Sequence, residues 1–138
     1  MQTIGYLNGY AGLCTILLVE DDSFVREATS CMLKSAGFPV LLAADAVEAH
    51  RVYEERRRPV ALLITDWTLP GCTGQQLGED LRRRAPRLKI LIVSGYMLGE
   101  YNTEEALTYF LAKPYSRRIL IEKVEKILNL QPATIRAS

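Results

Sequence analysis

Five short apolar runs punctuate this chain, and between them the apolar positions recur at every third or fourth residue. The runs are Thr15-Ile16-Leu17-Leu18-Val19, Val40-Leu41-Leu42-Ala43, Val60-Ala61-Leu62-Leu63-Ile64-Thr65, Leu88-Lys89-Ile90-Leu91-Ile92-Val93 and Tyr109-Phe110-Leu111-Ala112. Continuous runs of this length read as strands buried on both faces, the habit of parallel sheets. Helices are expected over Ser23 to Ala36, Ala46 to Arg58, Gln75 to Arg84, within Gly95 to Thr108, and over Ser116 to Leu130. The first carries Phe24, Ala28, Cys31, Met32 and Leu33 and stops at Gly37; the last carries Ile119, Leu120, Val124, Ile127 and Leu128 on one face. Five strands alternating with five helices predict a doubly wound α/β domain with helices on both faces of a parallel sheet.

The polar residues that close these runs change the picture. Glu20 and Asp21 follow the first run, Asp66 the third, Ser94 the fourth and Lys113 the fifth. Parallel strands end at one shared edge, where open α/β folds hold their sites. Three carboxylates gathered there repel one another unless one is protonated or a cation neutralises them. Oxygen-only ligands on an open edge suit Mg²⁺. A carboxylate beside such a cation and an ammonium is placed to attack phosphorus, with the Ser94 hydroxyl able to donate to a phosphoryl oxygen.

Composition narrows the class further. The 138 residues suffice for one domain with its own core, and 49% hydrophobic with 24% charged residues is ordinary for a globular protein. A net charge of +1 gives no general pull toward nucleic acid or anionic membrane, and aromatic interleaving for base stacking is absent. No apolar run approaches the roughly 20 residues that span a bilayer. Cys14, Cys31 and Cys72 show no metal-ligand spacing and are expected as reduced thiols in the cytoplasm. The Arg56-Arg57-Arg58 and Arg82-Arg83-Arg84 triplets are expected as solvated helix ends, and the single histidine, His50, as a mid-helix residue facing solvent.

Four segments together carry a family likeness: Leu17-Leu18-Val19-Glu20-Asp21-Asp22, Leu62-Leu63-Ile64-Thr65-Asp66-Trp67-Thr68-Leu69-Pro70-Gly71, Ile92-Val93-Ser94-Gly95-Tyr96 and Phe110-Leu111-Ala112-Lys113-Pro114-Tyr115. With them the chain resembles the receiver domain of two-component response regulators over residues 14–130, between a loosely ordered leader (1–13) and a tail (131–138). The resemblance implies a flavodoxin-like five-stranded sheet of order 2-1-3-4-5. It implies Asp66 as phosphoacceptor, Lys113 and Ser94 as its catalytic companions, and Ser94 with Phe110 as switch residues. It implies Mg²⁺, or Mn²⁺ in its place, held by Asp21, Asp66, the Thr68 backbone carbonyl and, through water, Glu20. Arg26 lies five residues after Asp21, as in the family, which leaves Asp22 to the start of the first helix. A cis peptide is implied at Lys113-Pro114. The implied donor is a histidine kinase or histidine phosphotransfer protein, and the implied output is a surface offered to a downstream protein. The chain would catalyse only its own phosphorylation and dephosphorylation; homodimerisation stays open.

Two features depart from the family pattern or colour it. Ser94 and Lys113 are only 19 residues apart, a shortening that falls in the fourth helix. Ser94-Gly95-Tyr96 is similar to receivers attached to hybrid histidine kinases. Other readings fit less well. A haloacid-dehalogenase phosphatase also uses an Asp nucleophile after a buried strand, but Thr68 stands where its second acid belongs. A mononucleotide or flavin binder would want a glycine-rich phosphate loop after the first strand. A degenerate receiver, binding partners without phosphorylation, would not need the complete acidic set and Lys113.

Overall fold

The computed structural model describes residues 11–95 and 107–130. A single 3₁₀ turn, Ala11–Leu13, leads into β1 (Thr15–Val19), α1 (Ser23–Ser35), β2 (Val40–Ala43), α2 (Ala46–Glu55) and β3 (Val60–Asp66). A small hairpin follows, β4 (Thr68–Leu69) and β5 (Cys72–Thr73), then α3 (Gly74–Arg82), β6 (Lys89–Ser94), β7 (Thr108–Ala112) and α4 (Arg117–Leu128). The main sheet is parallel in the order β2-β1-β3-β6-β7, which is the expected 2-1-3-4-5 once the hairpin is set aside. Residues 1–10 and 131–138, expected as leader and tail, and 96–106, where a further helix is expected, lie outside the described residues.

Strand alternation divides the core in two. Ile16, Leu18, Leu62, Ile64, Leu91 and Val93 face one side, where α1 supplies Leu33 and α4 supplies Leu120, Val124 and Ile127. Leu17, Val19, Leu63, Ile90 and Ile92 face the other, where α2 supplies Ala49 and Tyr53 and α3 supplies Leu77 and Leu81. Each helix begins on a side-chain cap: Asp22, Asp45, Thr73 (with Gln76 completing a capping box) and Ser116 accept from backbone N–H groups two or three positions into the helix. α1 ends at Ala36, and Gly37 takes up φ +97° just beyond it.

The buried stripes differ from expectation on two helices. Phe24 is 86% exposed, and Ala28 and Cys31 also face solvent. α1 instead buries Thr29, Ser30 and Leu33, because one helix face holds only one of two stripes about 100° apart per residue, and Leu33 continues into the buried Ala36 and Phe38. On α4 the packed residue is Ile121, while Ile119 is 45% exposed. α2 stops at Glu55, short of Arg58: the backbone is already extended at its C-cap Arg56 (ψ 148°), three residues before Pro59.

In the arginine triplets, Arg57, Arg58, Arg83 and Arg84 are exposed as expected, while Arg56 and Arg82 are half-buried. Arg82 donates to the Leu88 carbonyl at 2.9 Å, the Leu107 carbonyl at 2.8 Å and Thr108 Oγ1 at 2.9 Å, bracing α3 against the start of β7. Leu107 holds a left-handed φ of +70° at that brace. Arg56 lies over the Tyr53 ring at 3.6 Å, and Arg84 pairs with Glu54. His50 is only half-exposed and sits between Asp80 and Arg84.

Two glycines differ in what surrounds them. A Cβ on Gly74 would fall 2.0 Å from the Asp66 carbonyl oxygen, whereas one on Gly78 would meet the flexible end of Ile90 at 2.5 Å. Gly74→Ala should therefore cost about 3 kcal/mol. Gly78→Ala should stay within about 1 kcal/mol of the parent, since gained helix propensity offsets a movable contact. Urea unfolding midpoints check the ranking; equal losses would contradict it.

Candidate functional site

Sheet register builds the site. Val19 pairs with Thr65, Asp66 with Val93 and Ser94 with Ala112, so the chain leaves β1, β3, β6 and β7 along one edge. Glu20 follows β1 directly and is buried, Asp21 is exposed, and Asp66 is partly buried at the end of β3. Their carboxylate oxygens lie within 4.8 Å of one another. Asp22 is not in this group; its side chain accepts from Val25 N at 3.0 Å as the cap of α1.

Lys113 answers this charge. Its Nζ is 2.8 Å from Asp66 Oδ1 and 3.3 Å from Glu20 Oε1. Its backbone N–H donates to the Ser94 carbonyl at 2.8 Å, which fixes the stem on β6, and Lys113-Pro114 is cis. Glu20 is held too: its Oε2 accepts from Asp22 N at 3.1 Å, and its carbonyl accepts from Arg26 Nη1 at 2.8 Å. An open pocket of about 130 Å³ faces this cluster, lined by Asp66, Trp67, Thr68, Val93, Ser94, Gly95 and Lys113.

The electrostatics follow from burial and crowding. Burial, then hydrogen bonding to Asp66, raises the Glu20 pKa above the usual carboxylate range. Burial pulls the Lys113 pKa down, but hydrogen bonding and attraction to Asp66, then to Glu20, more than offset it, leaving the ammonium firmly charged. One cation faces three acids, so the edge carries uncompensated negative charge made only of oxygen ligands. That donor set fits a hard divalent cation.

Of the residues named from sequence, Glu20, Asp21, Asp66 and Lys113 form the cluster, and Thr68 and Ser94 line its pocket. Phe110 is not among the pocket residues; it is half-buried against the core on the α2–α3 side. Trp67 forms part of the pocket wall. Sequence reasoning missed Tyr115, whose hydroxyl lies 2.8 Å from Thr29 Oγ1. Its place directly after Lys113-Pro114 was the available signal.

An open parallel sheet of this order with an acidic cluster and a lysine at its carboxyl edge defines a receiver-type α/β domain. The sequence model of the response regulator receiver domain matches residues 16–125, and the chain belongs to that family. It is 35% identical over 124 residues to the sensor kinase CckA of Brucella abortus, covering 88% of this chain but 13% of that protein. It is 32% identical to the phosphate regulon transcriptional regulatory protein PhoB of Pseudomonas aeruginosa, covering 83% of this chain and 52% of PhoB. The chain thus spans only part of these longer relatives. Among solved structures, the receiver domain of the hybrid histidine kinase CckA superposes with a TM-score of 0.70 at 34% identity, covering 83% of this chain and 98% of that one. No helix among the described residues is long and apolar enough to cross a membrane.

The raised Glu20 pKa has a definite sign in stability. A carboxyl whose folded pKa exceeds its unfolded value favours the fold below the unfolded pKa, and loses that contribution as pH rises through the folded one. In chelator-treated protein at neutral pH, Glu20→Gln should therefore unfold at higher urea than the parent, and the gap should close as pH falls toward 4.5. A gap constant with pH would contradict this.

Proposed function

We propose that this chain is a phosphorylation-driven signalling switch in which Asp66 accepts the phosphoryl group. The observation that carries the reading is the Lys113 ammonium 2.8 Å from Asp66, inside a cluster of carboxylate oxygens open to a pocket, in a chain of the receiver family. Asp21, Asp66, the Thr68 carbonyl and, through water, Glu20 would hold Mg²⁺, with Mn²⁺ able to substitute. Bound there, the cation would neutralise charge on the transferring group's oxygens.

The remaining work falls to this chain's own groups. An Asp66 carboxylate oxygen forms the new bond to phosphorus as the phosphorus–nitrogen bond of a phosphohistidine breaks; the imidazole leaves and takes up a proton. The product is an acyl phosphate on Asp66. Lys113 then pairs with a phosphoryl oxygen, and the Ser94 hydroxyl donates to another. Movement of Ser94 toward the phosphate would let Phe110 repack, shifting a two-state equilibrium and altering the surface offered to a downstream protein. The chain acts only on itself in this scheme.

A sensor histidine kinase or a histidine phosphotransfer protein is the donor this reading requires, and the likeness to the receiver of a hybrid histidine kinase supports it. The receiver unit is read as residues 14–130. A cytoplasmic setting suits its three free cysteines.

The test is intact mass after incubation with acetyl phosphate, with and without Mg²⁺. One added phosphoryl group that requires both Mg²⁺ and Asp66 is expected, and Asp66→Ala should gain none. Modification elsewhere in that variant would overturn the acceptor assignment. In a metal titration, Asp21→Ala should weaken Mg²⁺ binding at least ten-fold, about 1.4 kcal/mol, whereas Asp22→Ala should leave it nearly unchanged. Equal losses would place the wrong acid at the metal.

A further inference from the structure

Two residues outside the pocket lining, Thr29 and Tyr115, are joined by a hydrogen bond two positions along the chain from the lysine. Lys113 leaves β7 with its N–H bound to the Ser94 carbonyl, so the chain is fixed on its N-terminal side. The next residue, Pro114, has no N–H with which to anchor the other side. Tyr115 does so instead. Its ring packs against the core between the sheet and α1, and its hydroxyl lies 2.8 Å from Thr29 Oγ1. Thr29 is 2% exposed, a polar residue buried in the middle of α1 where the helical pattern would favour an apolar one. A buried hydroxyl left without a partner costs roughly 1–3 kcal/mol, and Tyr115 supplies the partner for Thr29.

We infer that Tyr115 and Thr29 form a positioning pair that holds the Lys113 ammonium on Asp66. Neither hydroxyl reaches the reacting atoms. Their effect runs through the two-residue link from Tyr115 to Lys113, and it matters because a small displacement of a charged group in a site is felt steeply in rate. Burial raises the Tyr115 pKa, so the phenol stays neutral, and either hydroxyl can donate in this bond. A second hydrogen bond to α1 serves as a reference: Arg117 Nε, in the first turn of α4, donates to Ser35 Oγ at 2.8 Å, at the far end of α1 from the site.

The inference rests on Asp66 being the phosphoacceptor, and the experiment separates the two. Initial phosphorylation rates from acetyl phosphate at saturating Mg²⁺ are measured for the parent, Tyr115→Phe, Thr29→Val, their double variant, Thr29→Ser and Arg117→Ala, with thermal stability recorded for each. Tyr115→Phe and Thr29→Val should each lose on the order of ten-fold in rate, the double variant no more than either, and Mg²⁺ affinity should hold. Thr29→Ser, which keeps the hydroxyl, should restore the rate. Arg117→Ala should leave it unchanged even where it lowers the melting temperature. Parental rates in both Tyr115→Phe and Thr29→Val would overturn the positioning pair. So would losses that multiply in the double variant, or an equal loss in Arg117→Ala. A parent that takes up no phosphoryl group would overturn the acceptor reading itself, and the pair with it.

Discussion

Crowded negative charge is the constraint around which this domain is arranged. Three carboxylates share an edge with a single ammonium, and that imbalance is tolerable only where each charge has a fixed place and a fixed partner. The parallel sheet provides the places, since every strand delivers its last residue to the same edge. Local hydrogen bonds provide the partners: Glu20 is held through Asp22 N and Arg26, and Lys113 through Ser94 and, two residues on, Tyr115. Lys113 pairs with Asp66 and Glu20, and the negative charge left over at the edge stays poised for a cation.

The packing beneath serves that arrangement. Gly74 lets the first turn of α3 come against the Asp66 carbonyl, so the strand end and the helix start are wedged together. The small β4–β5 hairpin closes the same corner, with the Gly74 N–H bound to the Trp67 carbonyl at 2.7 Å. Asp22 illustrates how adjacent identical chemistries are sorted by backbone geometry. One residue from Asp21, it faces the first turn of α1 and spends its charge on a helix end.

Much of this was legible in the chain itself. The strands stood out because burial on both faces makes them continuously apolar, and their polar terminators marked the site edge. The grouping of Glu20, Asp21 and Asp66 followed from strand order, and Asp22 as a cap from the register of the family likeness. The orientation of α1 did not. Phe24, Ala28 and Cys31 make as good an apolar stripe as the buried one, and the choice rests on tertiary partners: the buried Thr29 meets Tyr115, 86 residues away. Arg82 was read as solvated for a similar reason. A helix-end arginine is usually so, and nothing local announces that the Leu107 carbonyl and Thr108 lie within its reach. Phe110 was named as a switch residue from the family likeness alone; it is half-buried against the core on the α2–α3 side.

The Arg82 brace gives the two ends of the sheet different temperaments. At the carboxyl edge, carboxylates and an ammonium respond to ionic strength, to protons and to cations. At the opposite edge, the guanidinium grips two neutral carbonyls and a hydroxyl, short-range contacts that dissolved salt screens little. The chain between Ser94 and Thr108 starts at the responsive end and finishes at the inert one. Ser94 therefore sits at an end whose charges answer to the solution, and Thr108 at one whose anchor dissolved salt moves little.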